Sequence, residues 1–560
     1  MPQLSEDWES NPFYELYQRP DVKEFVDGLV EAFAPNWGEE ADGSPWIEDE
    51  NDEAILEGLK SSQIAIGITR FDILSMIPNP MLNPMGDETE DTSNPPNFWV
   101  VFDFEPNDLK ESLIEDMEEE EHECVEYEDF YIMLVDDIAV LYNDDILSIT
   151  NNEETARNFI DRYLGESSRN SLEDKDHFQE SFLRLYEDSD LFFFADLTFL
   201  SEVVESAFTN FEELYLPLVQ SGRMAPPENI LQALGLDAFR GLSVSFDSDP
   251  DELKMKSMAI VEPNEGFFGK LTGHYGNSLP DVSFLSEDLS QATVTSFDVS
   301  GVLKDLEDTV ATISPFAGQT YQLQKSQMEQ MLSVQFDEAL IENFSSSFYM
   351  VSGETPNTAA ADLGEEFRGM EKILNQGSTY ILGINDRVSF EALFDSMSAT
   401  FDPQGFYAKQ DYLGASGYSM KTMEFGFGPS LFLSDQHLIY EENNQDFAKL
   451  VISMMQNPGK PIFQRRDVRD ALNELPPDPI GITYSDAEKI LTTFTGVFSN
   501  LAPMFAKNAA MEEGLEESED PFRNLPPPPI IDDFSYFSIT NTYKENDNIY
   551  QEGILRPKSD

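Results

Sequence analysis

Carboxylates, one imidazole and one thiol crowd a single stretch of this chain: Glu115-Asp116-Met117-Glu118-Glu119-Glu120-Glu121-His122-Glu123-Cys124. Hard oxygen donors suit calcium or magnesium, and an imidazole near a thiol suits zinc. The metal-ligand candidates are therefore Glu119, Glu121, His122, Glu123 and Cys124. The spacing of a closed zinc site is missing, so the run reads as a solvated acidic loop that binds divalent cations loosely. A second acidic run, Asp247-Ser248-Asp249-Pro250-Asp251-Glu252, begins like a calcium loop. It lacks glycine at the sixth place and has Met258 where the twelfth needs glutamate, which makes it the polar tip of a hairpin.

The other familiar chemistries fail on spacing. Gly266-Phe267-Phe268-Gly269-Lys270-Leu271-Thr272 imitates a phosphate loop, but Asn264 and Leu271 stand where that motif needs glycine and a hydroxyl. Gly414-Ala415-Ser416-Gly417 lacks the second glycine of a nucleophile elbow. Cys124 lies among Glu123, Glu126 and Glu128, with no cation to lower its thiol pKa. His122, His177, His274 and His437 are scattered, and surface histidines explain them. The expectation is no catalytic residue and no cofactor.

Composition narrows the field further. The chain has 560 residues, with 33 Lys+Arg against 108 Asp+Glu, for a formal net charge of −75. Apolar residues still make up 40%, including 43 Phe and 20 Met, so sizeable cores are expected beneath an acid coat rather than disorder. Such a coat repels nucleic acid and anionic lipid, and it suits cations, a basic protein partner or a salt-rich habitat. The single cysteine excludes an internal disulfide. No apolar run approaches the ~20 residues of a membrane span. The opening Met1-Pro2-Gln3-Leu4-Ser5-Glu6 has no basic n-region or apolar h-region, so no export signal is expected at this start.

The elements that would carry any site recur in order. A strand entering an aromatic-Asp pair, Ile64 to Asp72, is matched with Ala292 to Asp298. Trp99-Val100-Val101 is matched with Tyr380-Ile381-Leu382, and the hairpin Leu141 to Leu147 with Phe432 to Leu438. Helices opened by Asp176 and Asp467 run on to strands ending at Asp196 and Asp486. A last hairpin, Leu242 to Phe246 returning through Met258 to Ile260, is matched with Phe537 to Asn541 returning through Gly553 to Leu555. Four offsets lie between 380 − 99 = 281 and 537 − 242 = 295, while the first is 298 − 72 = 226. The discrepancy is assigned to an acidic insert at about 77–97. The recurring Asp72, Asp196, Asp298 and Asp486 read as helix caps. Apolar spacing marks helices at Val22, Phe25, Val26, Leu29, Val30, Phe33 and at Val299, Val302, Leu303, Leu306, Val310.

The expected fold is therefore α+β: two tandem copies of a mostly antiparallel curved sheet with helices packed on one face. The copies span 1–275 and 276–560, the second carrying an acidic and proline-rich loop at about 511–530. The opening Trp8-Glu9-Ser10-Asn11-Pro12 and Arg19-Pro20-Asp21-Val22, with Leu185 to Asp196, resemble a family of large uncharacterised envelope or secreted proteins. That family, which carries a domain of unknown function, belongs to planctomycete and verrucomicrobial type bacteria. The resemblance implies an extracytoplasmic or periplasmic place and supplies no site residues; the family usually carries an export signal, which this start lacks, so a cytoplasmic place stays open. The reading is a non-enzymatic acidic envelope protein that offers an anionic surface to a partner or to cations. A carrier of an apolar ligand in a sheet–helix cavity and a carboxylate-dependent hydrolase are the alternatives. Oligomeric state is left open.

Overall fold

The structure, a computed structural model, describes residues 63–69, 97–103, 123–355, 375–493 and 534–559 with short breaks, and part of 16–23. Outside the described residues lie the Val22–Phe33 helix beyond residue 23, Asp72, nearly all of the 77–97 segment, Glu119, Glu121, His122 and the 511–530 loop. The chain divides into two compact units. The first holds residues 1–9, 36–190 and 199–210, and the second holds 10–35, 191–198 and 211–560.

The first unit contains a six-stranded antiparallel sheet. Its strands are β1 (Gln63–Thr69), β2 (Asn97–Asp103), β3 (Glu123–Tyr127), β4 (Phe130–Val135), β5 (Ile138–Tyr142) and β6 (Ile146–Thr150), in the order β1-β2-β6-β5-β4-β3. Alternation along β4 to β6 puts Phe130, Ile132, Ala139, Leu141 and Ile146 into one core, which Ala156 and Ile160 of helix α1 (Glu153–Tyr163) close. Helix α2 (Asp176–Leu185) follows.

The second unit carries a thirteen-stranded antiparallel sheet. Its strands are β7 (Leu191–Asp196), β8 (Phe239–Asp249), β9 (Glu252–Val261), β10 (Gln291–Ser296), β11 (Phe344–Glu354), β12 (Gln376–Ile384), β13 (Tyr407–Tyr412), β14 (Ala415–Met420), β15 (Ser430–Leu433), β16 (His437–Glu441), β17 (Gly481–Asp486), β18 (Tyr536–Glu545) and β19 (Asn548–Pro557). They run β13-β14-β15-β16-β12-β11-β10-β17-β18-β19-β9-β8-β7. Helices α3 (Val299–Ile313), α4 (Pro315–Leu332), α5 (Arg387–Phe401), α6 (Gln445–Gln456) and α7 (Arg466–Leu472) accompany it. The class is α+β with antiparallel sheets, and helices cover both faces around β15 and β16. Phe432 and Ile439 enter the core that α6 closes with Phe447 and Val451, while their neighbours Leu433 and Leu438 enter the core that α5 closes with Phe390.

The order β3-β4-β5-β6-β2-β1 of the first sheet reappears as β13-β14-β15-β16-β12-β11 in the second. In that order β11 holds the place in the second sheet that β1 holds in the first, whereas the sequence match set β10 against β1. Val101, packed on its core as Ile381 is, pairs with Ala65, whereas Ile381 pairs with Tyr349. The offsets by position in the strand order are 381 − 101 = 280 and 349 − 65 = 284. The sequence match of β1 with β10 rests on their shared period-two alternation and on the aromatic-Asp pair that follows each.

The series β9-β8-β7 mirrors β19-β18-β17 across the β9–β19 seam. Leu242 pairs with Ala259 and Ser538 with Leu555, a shift of 538 − 242 = 296 and 555 − 259 = 296. Under that shift Lys256 corresponds to Glu552, and these two residues face each other in the seam. The seam therefore has the self-complementary register of a two-fold interface, drawn within one chain.

Candidate functional site

Of the metal candidates, only Glu123 and Cys124 fall within described residues, at the start of β3. Cys124 is an exposed free thiol opposite Met133. Among the described residues no group of three or more His, Cys, Asp or Glu is placed to hold a metal ion. The Asp247–Glu252 run is the tip of the β8–β9 hairpin, as its pattern indicates. The cation there is internal: Lys254 Nζ lies 2.8 Å from Asp249, 3.1 Å from Glu252 and 3.8 Å from Asp247. The hydrogen bond to Asp249 holds the ammonium well above its ordinary pKa.

The glycine-rich run is likewise filled by its own side chain. Asn264 Oδ1 accepts the Gly266 N–H at 2.8 Å, and its Nδ2 donates to Asp237 at 2.8 Å. Of the recurring aspartates, Asp298 accepts the Gly301 N–H at 3.0 Å and Asp486 the Lys489 N–H at 3.2 Å. Asp196 accepts both the N–H and the hydroxyl of Thr198. These are local caps and turns.

Three polar clusters come nearest to catalytic geometry. In the first, His274 Nε2 sits 2.7 Å from Asp305 and Nδ1 3.8 Å from Asp298, both on or capping α3. Lys270 reaches the same Asp305 at 3.3 Å. An Asp–His pair activates a nucleophile only if the second ring nitrogen meets a hydroxyl or thiol. Here that nitrogen faces another carboxylate. The cluster latches the 271–274 turn onto α3, and Gly301 leaves room for it, because a Cβ there would meet the ring at 2.6 Å.

The second cluster joins α5 to the β13–β14 hairpin. Ser416 Oγ donates to Glu391 at 2.8 Å and accepts from Arg387 at 2.9 Å. The Ser416 hydroxyl and then Lys409 hold the Glu391 carboxyl below its usual range, so it is a poor base for that serine. Lys409 also binds Asp395 at 2.8 Å, and Tyr418 donates to Asp395 at 2.8 Å. Burial pushes the Tyr418 phenol up to about 12, so it stays protonated.

The third surrounds the end of β17. Asp486, 2% exposed, meets Lys558 at 2.7 Å, and Lys558 also meets Glu488 at 2.9 Å. Lys489 Nζ donates to the carbonyls of Glu287, Asp288 and Leu289 at 3.0, 3.2 and 3.2 Å. Beside it, buried Asp467 accepts from Arg465 at 2.7 Å, from Val468 N–H at 2.9 Å and from Ser559 N–H at 3.2 Å. Burial alone would raise the Asp467 carboxyl, but these donors outweigh it and the pKa falls. Sequence reading singled out the two aspartates as helix openers and missed the basic partners, which stand apart in sequence and follow no period.

Each cluster is closed on itself. A cation binds two or more carboxylates, or a carboxylate collects several donors, and none presents a free base beside a nucleophile. His437 fits the same description: it is half-buried beside the rings of Phe284 and Tyr349, and desolvation lowers its pKa.

No protein-family model matches this chain, and no curated protein matches it. Among solved structures, it is similar to the one titled "Structure of crystal form III of TP0453", at 9% identity and a TM-score of 0.20, covering 50% of this chain and 96% of that one. The structure titled "Structure of crystal form I of TP0453" stands at 8% identity, a TM-score of 0.20 and 50% and 94% coverage. No helix among the described residues is long and apolar enough to cross a membrane.

Proposed function

We propose that this chain is a non-enzymatic, acid-coated protein of the cell envelope, built by tandem duplication, that offers its anionic surface to a basic protein partner or to cations. The observation that carries this reading is the way the basic side chains are spent. Lys254, Lys409, Arg556 and Lys558 each answer two or more carboxylates within the fold. With 33 basic residues set against 108 acids, such locks leave a large excess of carboxylates without a cation to answer them. A field of that sign concentrates cations and steers basic partners toward it. The common strand order and the 296-residue shift support the duplication.

The test is thermal unfolding over a sodium chloride series, repeated with millimolar calcium, magnesium or zinc. A smooth rise with ionic strength, nearly equal for all cations after correction, supports a diffuse anionic surface. A sharp rise in midpoint with one divalent ion at low concentration would replace it with a formed metal site. Cell fractionation tests the location: recovery in the cytosolic fraction would overturn the envelope assignment.

A further inference from the structure

Helix α4 carries two charged side chains, and both are turned inward. Lys325, 8% exposed, is paired with Asp337 and lies 3.6 Å from Glu307. Glu329 accepts the Phe336 N–H at 2.9 Å. Gly318, Lys325 and Leu332, seven residues apart, form the buried side. Gly318 packs so closely on α3 that a Cβ there would meet Ala311 at 2.8 Å.

The opposite side of α4 carries no charged side chain of its own, and the one cation set against it is Arg223, whose guanidinium lies 5.4 Å from the centroid of the Phe316 ring. Phe316, Leu323 and Met331 recur at seven and eight residues and are 55%, 60% and 57% exposed. That spacing places them on one face of a helix. Gln319, Gln324, Gln327 and Gln330 fill the positions around them and are exposed. On α3, Leu306 and Val310 of the apolar stripe read from the sequence also stand exposed, at 44% and 41%. From Thr309 to Met328 there is no Asp or Glu, in a chain where 108 of 560 residues are acidic. A solvent face of this length and polarity marks an interaction site.

We propose that this face binds the same face of a second copy of the chain, α4 against α4 in antiparallel fashion. Charge selects the occupant. Two molecules of net charge −75 repel wherever carboxylates meet, so they can approach closely only across a surface that has none. A basic partner finds no acid here to pair with. The spacing is also self-complementary: Leu323 lies midway between Phe316 and Met331, so an antiparallel crossing sets Phe316 on the partner's Met331 and Leu323 on the partner's Leu323. One helix of about 27 Å offers a small interface, which fits a weak, micromolar dimer that strengthens with salt.

Sedimentation velocity of the full chain, over micromolar concentrations and from ~0.1 to ~1 M sodium chloride, tests this. Dimer should grow with both protein and salt. Leu323→Glu should weaken association at least about tenfold with unchanged circular dichroism and melting, because the position is exposed. In a Cys124→Ser background, Leu323→Cys should form a disulfide dimer under mild oxidation much faster than Leu183→Cys, which is 75% exposed elsewhere. The proposal is overturned by a monomer at every salt, by a dimer indifferent to L323E, or by equal cross-linking of the two cysteine variants. A solution monomer captured on zwitterionic vesicles through this face would assign it to lipid and equally overturn the proposal.

Discussion

The hairpins β5–β6 and β15–β16 share a place in the strand order, and each leads through an asparagine into a helix, but they differ in what they bury beside it. Asn152 caps α1 by accepting the Thr155 N–H at 2.8 Å, and the neighbouring strand end is Thr150, whose hydroxyl donates to Asn152 O at 3.0 Å. Asn444 caps α6 in the same way, but it is fully buried. Its amide donates to the carbonyls of Asn375 and Thr355 at 3.1 and 3.3 Å. The position matching Thr150 is Glu441, 1% exposed. One scaffold thus supports a simple cap in one half and a buried polar hub in the other.

That contrast predicts unequal costs for the same substitution. Asn152→Ala removes one cap and should cost α1 about 1 kcal/mol. Asn444→Ala removes a cap and the two hydrogen bonds from its amide to the Asn375 and Thr355 carbonyls, so α6 should lose roughly 3 kcal/mol. Hydrogen exchange resolves the two helices separately and gives each its own opening free energy. Equal losses would mean that the contacts of Asn444 beyond the cap contribute nothing, and the contrast would collapse.

The hairpins were legible because hydrophobic alternation and helical periodicity are written locally, as Leu141 to Leu147 and Phe432 to Leu438 show. The capping role of Asp298 and Asp486 was legible for the same reason. The place of each strand in the sheet order was not, because pairing is decided across the sheet and several strands here share one alternation. The clusters were hidden more deeply. Lys489 reaches carbonyls some two hundred residues away, and Ser559 N–H finds Asp467 only once the C-terminal strand is in place. The exposed α4 face lay in the opposite category: the sequence gives its composition, but only the packing of Lys325 and Leu332 shows which side is bare.

A second pair of equivalent positions sharpens the comparison. Asp176 and Asp467 both open helices in the sequence pattern. Asp176 is an exposed first-turn acid whose main effect is on the helix dipole, so Asp176→Asn should cost only a few tenths of a kcal/mol. Asp467→Asn should cost about 2 kcal/mol, because Arg465, packed over Phe537 and Tyr484, loses its counter-charge. The lowered Asp467 pKa fixes the sign with pH. Its contribution is complete above the unfolded carboxylate range near ~3.9 and is lost as pH falls through the folded value. The gap between wild type and D467N in chemical denaturation should therefore narrow in acid and stay constant from pH 6 to 8. A gap that widens in acid would mean that the carboxylate is not the stabilising form.

The smallest effect is the most discriminating, because Glu441 responds in the opposite direction. Burial raises its carboxyl above the usual range, although Thr379, Asn444, Asn443 and Ser378 all donate to it and offset part of that cost. The folded state consequently holds the Glu441 proton more tightly than the unfolded chain. Stability from this group is complete below the unfolded range near ~4.3 and is lost as pH rises through the folded value. Glu441→Gln keeps an acceptor for the three N–H donors and removes the charge. It should match or exceed wild-type stability at pH 7, by up to about 1 kcal/mol, and the difference should shift in favour of wild type toward pH 4. Thermal midpoints of the two proteins across pH 4 to 8 read this directly. If E441Q is instead the weaker protein at pH 7 by a margin that narrows toward pH 4, the four donors prefer the carboxylate, and the buried charge stabilises the hub.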